Sequence, residues 1–216
     1  MLNKIDDLTF VNEKNAFYLL VAMHISGVIG LSLEITSDLF KMLVPYNLFA
    51  TAAILLHFEK DKSIKYGLFI LITFLVGFFA EVIGVATGDI FGEYAYGKTL
   101  GFKVLEVPLA IGINWVVLIY CSAHLSRKIT NSAVLQVIIA SILMVALDLL
   151  IEPVAINLDF WSWNGGDIPL RNYIGWFVVS VLLHSVFRGL MKDSNNSLAI
   201  KLLYIQAAFF VVLNFI

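Results

Sequence analysis

The stretch IKYGLFILITFLVGFFAEVIGV, residues 64–85, carries Lys65 at its start and Glu81 near its end, with no charged side chain between them. An α-helix rises about 1.5 Å per residue, so about 20 apolar residues span a hydrocarbon core about 30 Å thick. Six further stretches read the same way, roughly at residues 16–33, 39–58, 104–123, 134–156, 173–190 and 198–216. The expected fold is an all-α, polytopic bundle of about seven spanning helices, forming one integral membrane domain over residues 1–216. Composition agrees: 60% of the 216 residues are hydrophobic and 14% charged, with a mean hydropathy of +0.91. Soluble domains are about half apolar.

A formal net charge of -2 leaves no basic field for nucleic acid. Single Cys121 cannot form an intrachain disulfide or a cysteine metal cluster. The opening residues MLNKIDDLTFVNEKN lack the pattern of a cleaved signal peptide, so the first apolar segment is expected to remain as a helix. Connections near Glu34–Asp38, Glu59–Ser63, Ser126–Ser132 and Met191–Ser197 are short and polar. Those at Gly88–Lys103 and Asn157–Asn172 are longer and rich in glycine and aromatics. Basic residues favour cytoplasmic loops. Setting Lys60, Lys62, Lys65, Arg127, Lys128, Arg188, Lys192 and Lys201 against Lys4, Lys14, Lys41, Lys98, Lys103 and Arg171 gives a multi-pass cell-membrane protein. On this count the amino terminus and both long loops lie outside the cytoplasm.

Three carboxyls fall within this apolar chain: Glu81 in LVGFFAEVIGVATG (residues 75–88), and Asp148 and Glu152 in VALDLLIEPVAI (residues 145–156). Charge at membrane depth costs about 2.5–3.5 kcal/mol on insertion scales, so such groups normally face the bundle interior and mark function. Gly77, Glu81, Gly84 and Gly88 share one helix face, where glycine lets a neighbour approach. Asp148 and Glu152 also share a face, and two like charges there do not both ionise cheaply, so one is expected to hold a proton, as a general acid must. The competing reading is a structural lock, with these carboxyls pairing to donors such as Asn114, His184 or Arg171. Pro153 predicts a kink or an approaching helix end.

The long loops, TGDIFGEYAYGKTLGFKVLEVP (residues 87–108) and NLDFWSWNGGDIPLRNYIGWF (residues 157–177), hold Tyr94, Tyr96, Trp161, Trp163, Tyr173 and Trp176. These aromatics read either as an interfacial belt or as a mouth gripping an extended apolar ligand, whose rings stabilise a developing cation. Other chemistries lack their signatures. The last helix has only Lys201, near its start, where a retinal Schiff base needs a mid-helix lysine. His24, His57, His124 and His184 are dispersed over four helices without paired spacing. There is no dinucleotide fingerprint, P-loop or GxSxG. DLLIE at 148–152 has the spacing of an acidic magnesium-diphosphate motif, but it stands alone without a basic cluster. What remains is acid/base chemistry from carboxyls, with no metal and no cofactor expected.

Two blocks, EVIGVATGDIFGEYAYGKTLGFKVLEVPLAIGINW (Glu81–Trp115) and ALDLLIEPVAINLDFWSWNGGDIPLRNYIGWFVVS (Ala146–Ser180), resemble the signature blocks of the carotenoid-biosynthesis membrane family of carotenoid 1,2-hydratases. The resemblance rests on ExxGxxTGxxFGxYxY, DxxxxPxA, WxW and a Pro-Leu-x-Asn-Tyr-x-Gly-Trp run. The first two helices and the last are similar only in hydrophobic character. The resemblance implies cofactor-independent addition of water to the terminal C1=C2 bond of an acyclic ψ end group on a carotenoid or other polyisoprenoid. Such hydration proceeds by protonation at C2, a tertiary cation at C1 and capture by water. The Asp148/Glu152 pair is expected to supply the proton and Glu81 to position or deprotonate the water; the reverse assignment stays open. Tyr94, Tyr96, Trp161, Trp163 and Trp176 are expected to line the pocket, with Thr87, Asn114 and Asn172 as polar partners. Two alternatives remain: an acid-catalysed end-group cyclase, and a non-catalytic carotenoid-binding or transport protein.

Overall fold

The computed structural model describes residues 12–216; the reading of the opening polar segment and of Lys4 lies outside them. Seven helices run through the described chain: α1 Glu13–Ser32, α2 Glu34–His57, α3 Ile64–Thr87, α4 Leu109–Ile129, α5 Ala133–Asn157, α6 Leu170–Leu190 and α7 Ser197–Leu213. Short strands β1 (Tyr94–Tyr96), β2 (Lys103–Val104), β3 (Val107–Pro108) and β4 (Trp161–Trp163) occupy the two long loops. The first six helices are long and apolar enough to cross a membrane, and α7 has 17 apolar-rich residues. At about 1.5 Å per residue that still gives about 25 Å, near the lower bound for a span.

Helix α4 is the centre of the bundle. It packs against α2, α3, α5, α6 and α7, and every residue from Trp115 to His124 is buried. A helix surrounded by protein has no lipid to match, so it can carry Tyr120, Ser122, His124 and Ser126 inward. The outer helices turn Ile25, Ile29, Leu71, Leu75, Leu149 and Val178 outward instead. Small residues set the spacing: a Cβ on Gly77 would stand 2.5 Å from the Trp115 ring. Gly77, Glu81 and Gly84 are all buried on one face of α3, as the spacing predicts, and Gly88 closes the helix at φ 72.

Three expectations need correction. The fourth helix, expected over residues 104–123, begins at Leu109, because residues 103–108 fold into the β2–β3 hairpin and Pro108 precedes the first helical turn. Glu34–Asp38 is no connection: only Leu33 separates α1 from α2, which begins at Glu34. The start of α1 and the long loops lie at opposite ends of the bundle. Lys201 donates to Glu13 Oε1 at 2.9 Å and Ser197 also bonds Glu13, which ties α1 to the start of α7. The reason is parity, since three crossings separate the start of α1 from the first long loop. Pro153 stands in the last turns of α5, which ends at Asn157, in keeping with the approaching helix end that it predicts.

Candidate active site

At the long-loop end, the two loops clasp each other. Strands β1 and β4 pair antiparallel with Tyr94 opposite Trp163, Ala95 opposite Ser162 and Tyr96 opposite Trp161. Alternate residues of a strand share a face, so the two tyrosines and two tryptophans project into the bundle while Ala95 and Ser162 stay exposed. Side bonds hold the clasp shut: Gly97 N–H donates to Phe160 O at 2.8 Å and Thr99 Oγ1 to Leu158 O at 2.7 Å. The period-two alternation in YAY and WSW was the available signal for these strands.

Below the clasp lie the carboxyls. Glu81, 2% exposed, accepts from Tyr94 Oη at 2.5 Å and Tyr96 Oη at 2.8 Å on Oε2, and from Trp115 Nε1 at 3.1 Å on Oε1. Glu152, 1% exposed, accepts on Oε2 from the indoles of Trp161 and Trp163, at 3.0 and 2.9 Å. One nitrogen, Asn172 Nδ2, donates both to Glu152 Oε1 and to Asp148 Oδ2, at 2.9 Å each. Asp148 is wholly buried, and its Oδ1 has no hydrogen-bond partner in the protein. No Lys or Arg forms a salt bridge with any of the three among the described residues. Burial, and then the adjacent Glu81, push the Tyr94 and Tyr96 phenols above their usual range, so both remain O–H donors.

Glu81, Glu152, Asn172, Tyr94, Tyr96, Trp161, Trp163 and Trp176 wall a chamber of about 20 Å³, about the room one water needs. Trp176 stacks on Trp115 at 4.5 Å between centroids. Ile111, Asn114, Ile151 and Trp161 line both this chamber and a groove of about 390 Å³ that runs between α1, α2, α4, α5 and α7. A small acidic chamber thus shares a wall with a larger, mostly apolar groove.

Of the residues singled out from sequence, Glu81, Asp148, Glu152, Tyr94, Tyr96, Trp161, Trp163, Asn172 and Trp176 converge here. Asp148 sits behind Glu152 and Asn172 and does not line the chamber. Asn114 is on the wall shared with the groove. Thr87 is excluded: it is exposed and donates to Ile83 O at 2.8 Å on its own helix. Of the donors a structural lock would use, His184 instead binds Ser122 and Ser141, and Arg171 reaches Gly88 O at 3.4 Å. Two features were not read from sequence. Trp115 was quoted but not singled out, although a buried indole N–H needs an acceptor. Glu59, assigned to a polar connection, is buried at the opposite end, where Tyr120 donates to it at 2.5 Å and Ser194 also donates.

Fold and site together define a polytopic α-helical membrane protein with a carboxyl cluster enclosed by aromatics and separated by one wall from an apolar groove. The chain belongs to the carotenoid biosynthesis protein family, whose sequence model matches residues 42–216. That match takes in most of α2 and all of α7, more than the two blocks alone. The bisanhydrobacterioruberin hydratase of Haloarcula japonica is 30% identical over 131 residues, covering 54% of this chain and 44% of that protein. The chain therefore matches less than half the length of this relative. No solved structure matches.

Proposed function

We propose that this chain is a carotenoid hydratase that adds water, without a cofactor, across the terminal C1=C2 bond of an acyclic ψ end group. The observation that carries the reading is three buried carboxyls without a counter-cation, next to an enclosed space the size of one water. A structural lock built from neutral donors would leave no carboxyl oxygen without a partner and needs no space beside the carboxyls, whereas Asp148 Oδ1 has no partner and the chamber borders Glu81 and Glu152. A catalyst that generates a cation in its substrate needs anionic surroundings lacking one. The similarity to a bisanhydrobacterioruberin hydratase supports the same class of reaction.

In the proposed mechanism, the polyene lies in the groove with its end group against Asn114 and Trp161. These wall side chains move aside to bring C1 and C2 to the chamber, which before they move has room for about one water. A proton held by the Asp148/Glu152 pair passes through Glu152 to C2, and the alkene π electrons form the new C–H bond. The tertiary cation at C1 is stabilised by the negative site and by the faces of Trp161, Trp163 and Trp176, each cation–π contact contributing about 0.5–2 kcal/mol. Water attacks C1 while Glu81, held by two phenols and an indole, takes its proton. Return of that proton to the pair completes the cycle with no net acid consumed. Asp148 is a positioning residue for Glu152, and Asn172 fixes the pair.

The corrected topology and the basic residues together support one orientation. Lys14, Lys60, Lys62, Lys65, Arg127, Lys128, Arg188, Lys192 and Lys201 lie toward the end opposite the long loops, against Lys41, Lys98, Lys103 and Arg171 toward the loop end. The excess of basic residues favours a cytoplasmic Glu59 end and an extracytoplasmic chamber end. The function is tested by incubating the purified chain in detergent with an acyclic carotene and no cofactor. A product heavier by one water is expected; unaltered carotene, or an isomer of unchanged mass, would contradict the reading.

A further inference from the structure

The groove is mostly apolar, yet it contains polar side chains that nothing in the protein satisfies. Thr51 on α2 is 1% exposed and Gln206 on α7 is 6% exposed; Thr51 Oγ1 and Gln206 Oε1 have no hydrogen-bond partner. His24 on α1 lines the same groove, 8% exposed. Its Nδ1 lies 2.8 Å from Leu20 O and donates to it, which leaves Nε2 as an acceptor in the neutral ring. Asn47 and Ser26 lie on the same lining, and Asn114 belongs to both groove and chamber. These residues come from four helices, so the polar strip is not a stripe on one helix. An orphaned buried polar group costs about as much as a lost hydrogen bond, and the middle of a polyisoprenoid chain has neither donors nor acceptors to offer. The strip therefore suits a ligand that both donates and accepts.

We propose that the strip of His24, Thr51 and Gln206, leading to Asn114, holds ordered water and supplies the molecule that captures the cation in the chamber. The proposal rests on the hydratase reading. Each turnover consumes one water, and the chamber has room for about one, so the next must come from beyond its wall. Asn114 stands at that wall, and its carboxamide can pass a water from groove to chamber by exchanging hydrogen bonds.

If supply is limited, the cation formed at C1 loses a proton and returns to alkene instead of being captured. In deuterium oxide that return leaves deuterium in the recovered carotene, so exchange and hydration are read separately in one incubation. The test compares the unsubstituted chain with Thr51→Val, Gln206→Leu and the double variant, using an acyclic carotene in detergent. The double variant is expected to hydrate about tenfold more slowly, the equivalent of one or two lost hydrogen bonds. Its deuterium exchange should be sustained, raising the ratio of exchange to hydration about tenfold. Both substitutions replace unpartnered polar groups with apolar ones of similar size, so thermal stability should hold or rise. Hydration and exchange falling together, an unchanged ratio, or a loss of melting temperature would overturn the proposal. Selective loss of affinity for a hydroxylated carotene, with the ratio unchanged, would assign the strip to a ligand hydroxyl and also overturn it. Wild-type protein giving neither hydrate nor exchange would instead remove the hydratase reading itself.

Discussion

Glu59 and Glu81 are both buried, and each accepts a tyrosine hydroxyl at 2.5 Å, from Tyr120 and Tyr94 respectively. Their neighbours differ. Ser194 donates to Glu59 and lies 3.0 Å from His124 Nε2. Close by, the Arg127 guanidinium donates to Met191 O at 2.6 Å and Ser194 O at 3.2 Å and packs over the Phe187 ring. The result ties the α2–α3 turn to α4 and the α6–α7 turn, and Glu59 lines neither groove nor chamber. Glu81 shares its end with Glu152 and Asp148, has no salt bridge to a Lys or Arg among the described residues and borders the enclosed chamber. Identical side chains with similar first partners thus serve opposite ends, one locking the bundle and the other, in the proposed function, taking the proton of the attacking water. What separates them is compensating charge and access.

The largest expected effects lie in the acidic chamber. Glu152→Gln and Asp148→Asn should each lower hydration at least about 100-fold, the lower range of general acid catalysis, while pigment binding persists. Full turnover in both would break the contrast between the two ends. At the other end, Glu59→Ala should lower unfolding stability in detergent by about 2 kcal/mol, by orphaning the Tyr120 and Ser194 hydroxyls; turnover per folded molecule should stay within about twofold. Burial alone would raise the pKa of Glu59, but bonds from Ser194, Tyr120 and the Asp61 N–H outweigh it and lower the value. A depressed carboxyl pKa stabilises the fold above the unfolded value of about 4.3 and ceases to do so as pH falls through the folded value. The stability gap between wild type and Glu59→Gln should therefore narrow below about pH 4 in thermal melts. Tyr94→Phe and Tyr96→Phe, each removing one donor from Glu81, should slow hydration about tenfold. Thr87→Val should change it less than twofold, since Thr87 bonds only within its own loop and helix.

Much of the site was legible because membrane burial is demanding. A carboxyl within an apolar run must face inward, which marked Glu81, Asp148 and Glu152, and the Gly77/Gly84 spacing marked the face of close approach. The clasp was harder to read: YAY and WSW lie 65 residues apart at their closest, and local pattern does not reveal which strand pairs with which. Thr87 misled because it follows Glu81 in the motif, yet about 1.7 helical turns of separation and its outward rotation remove it from the chamber. Glu59 was passed over because charge next to a helix end normally faces water; only the fold of α4 and of the α6–α7 turn over it makes it a buried anchor.

The most direct test places the two glutamates side by side. Wild-type chain, Glu81→Gln and Glu59→Gln, each loaded with the same acyclic carotene in water carrying an oxygen isotope label, are compared for labelled oxygen incorporated per bound carotene. The account predicts incorporation by wild type and Glu59→Gln and almost none by Glu81→Gln with its pigment still bound. Equal incorporation by Glu81→Gln, or its loss only in Glu59→Gln, would contradict it.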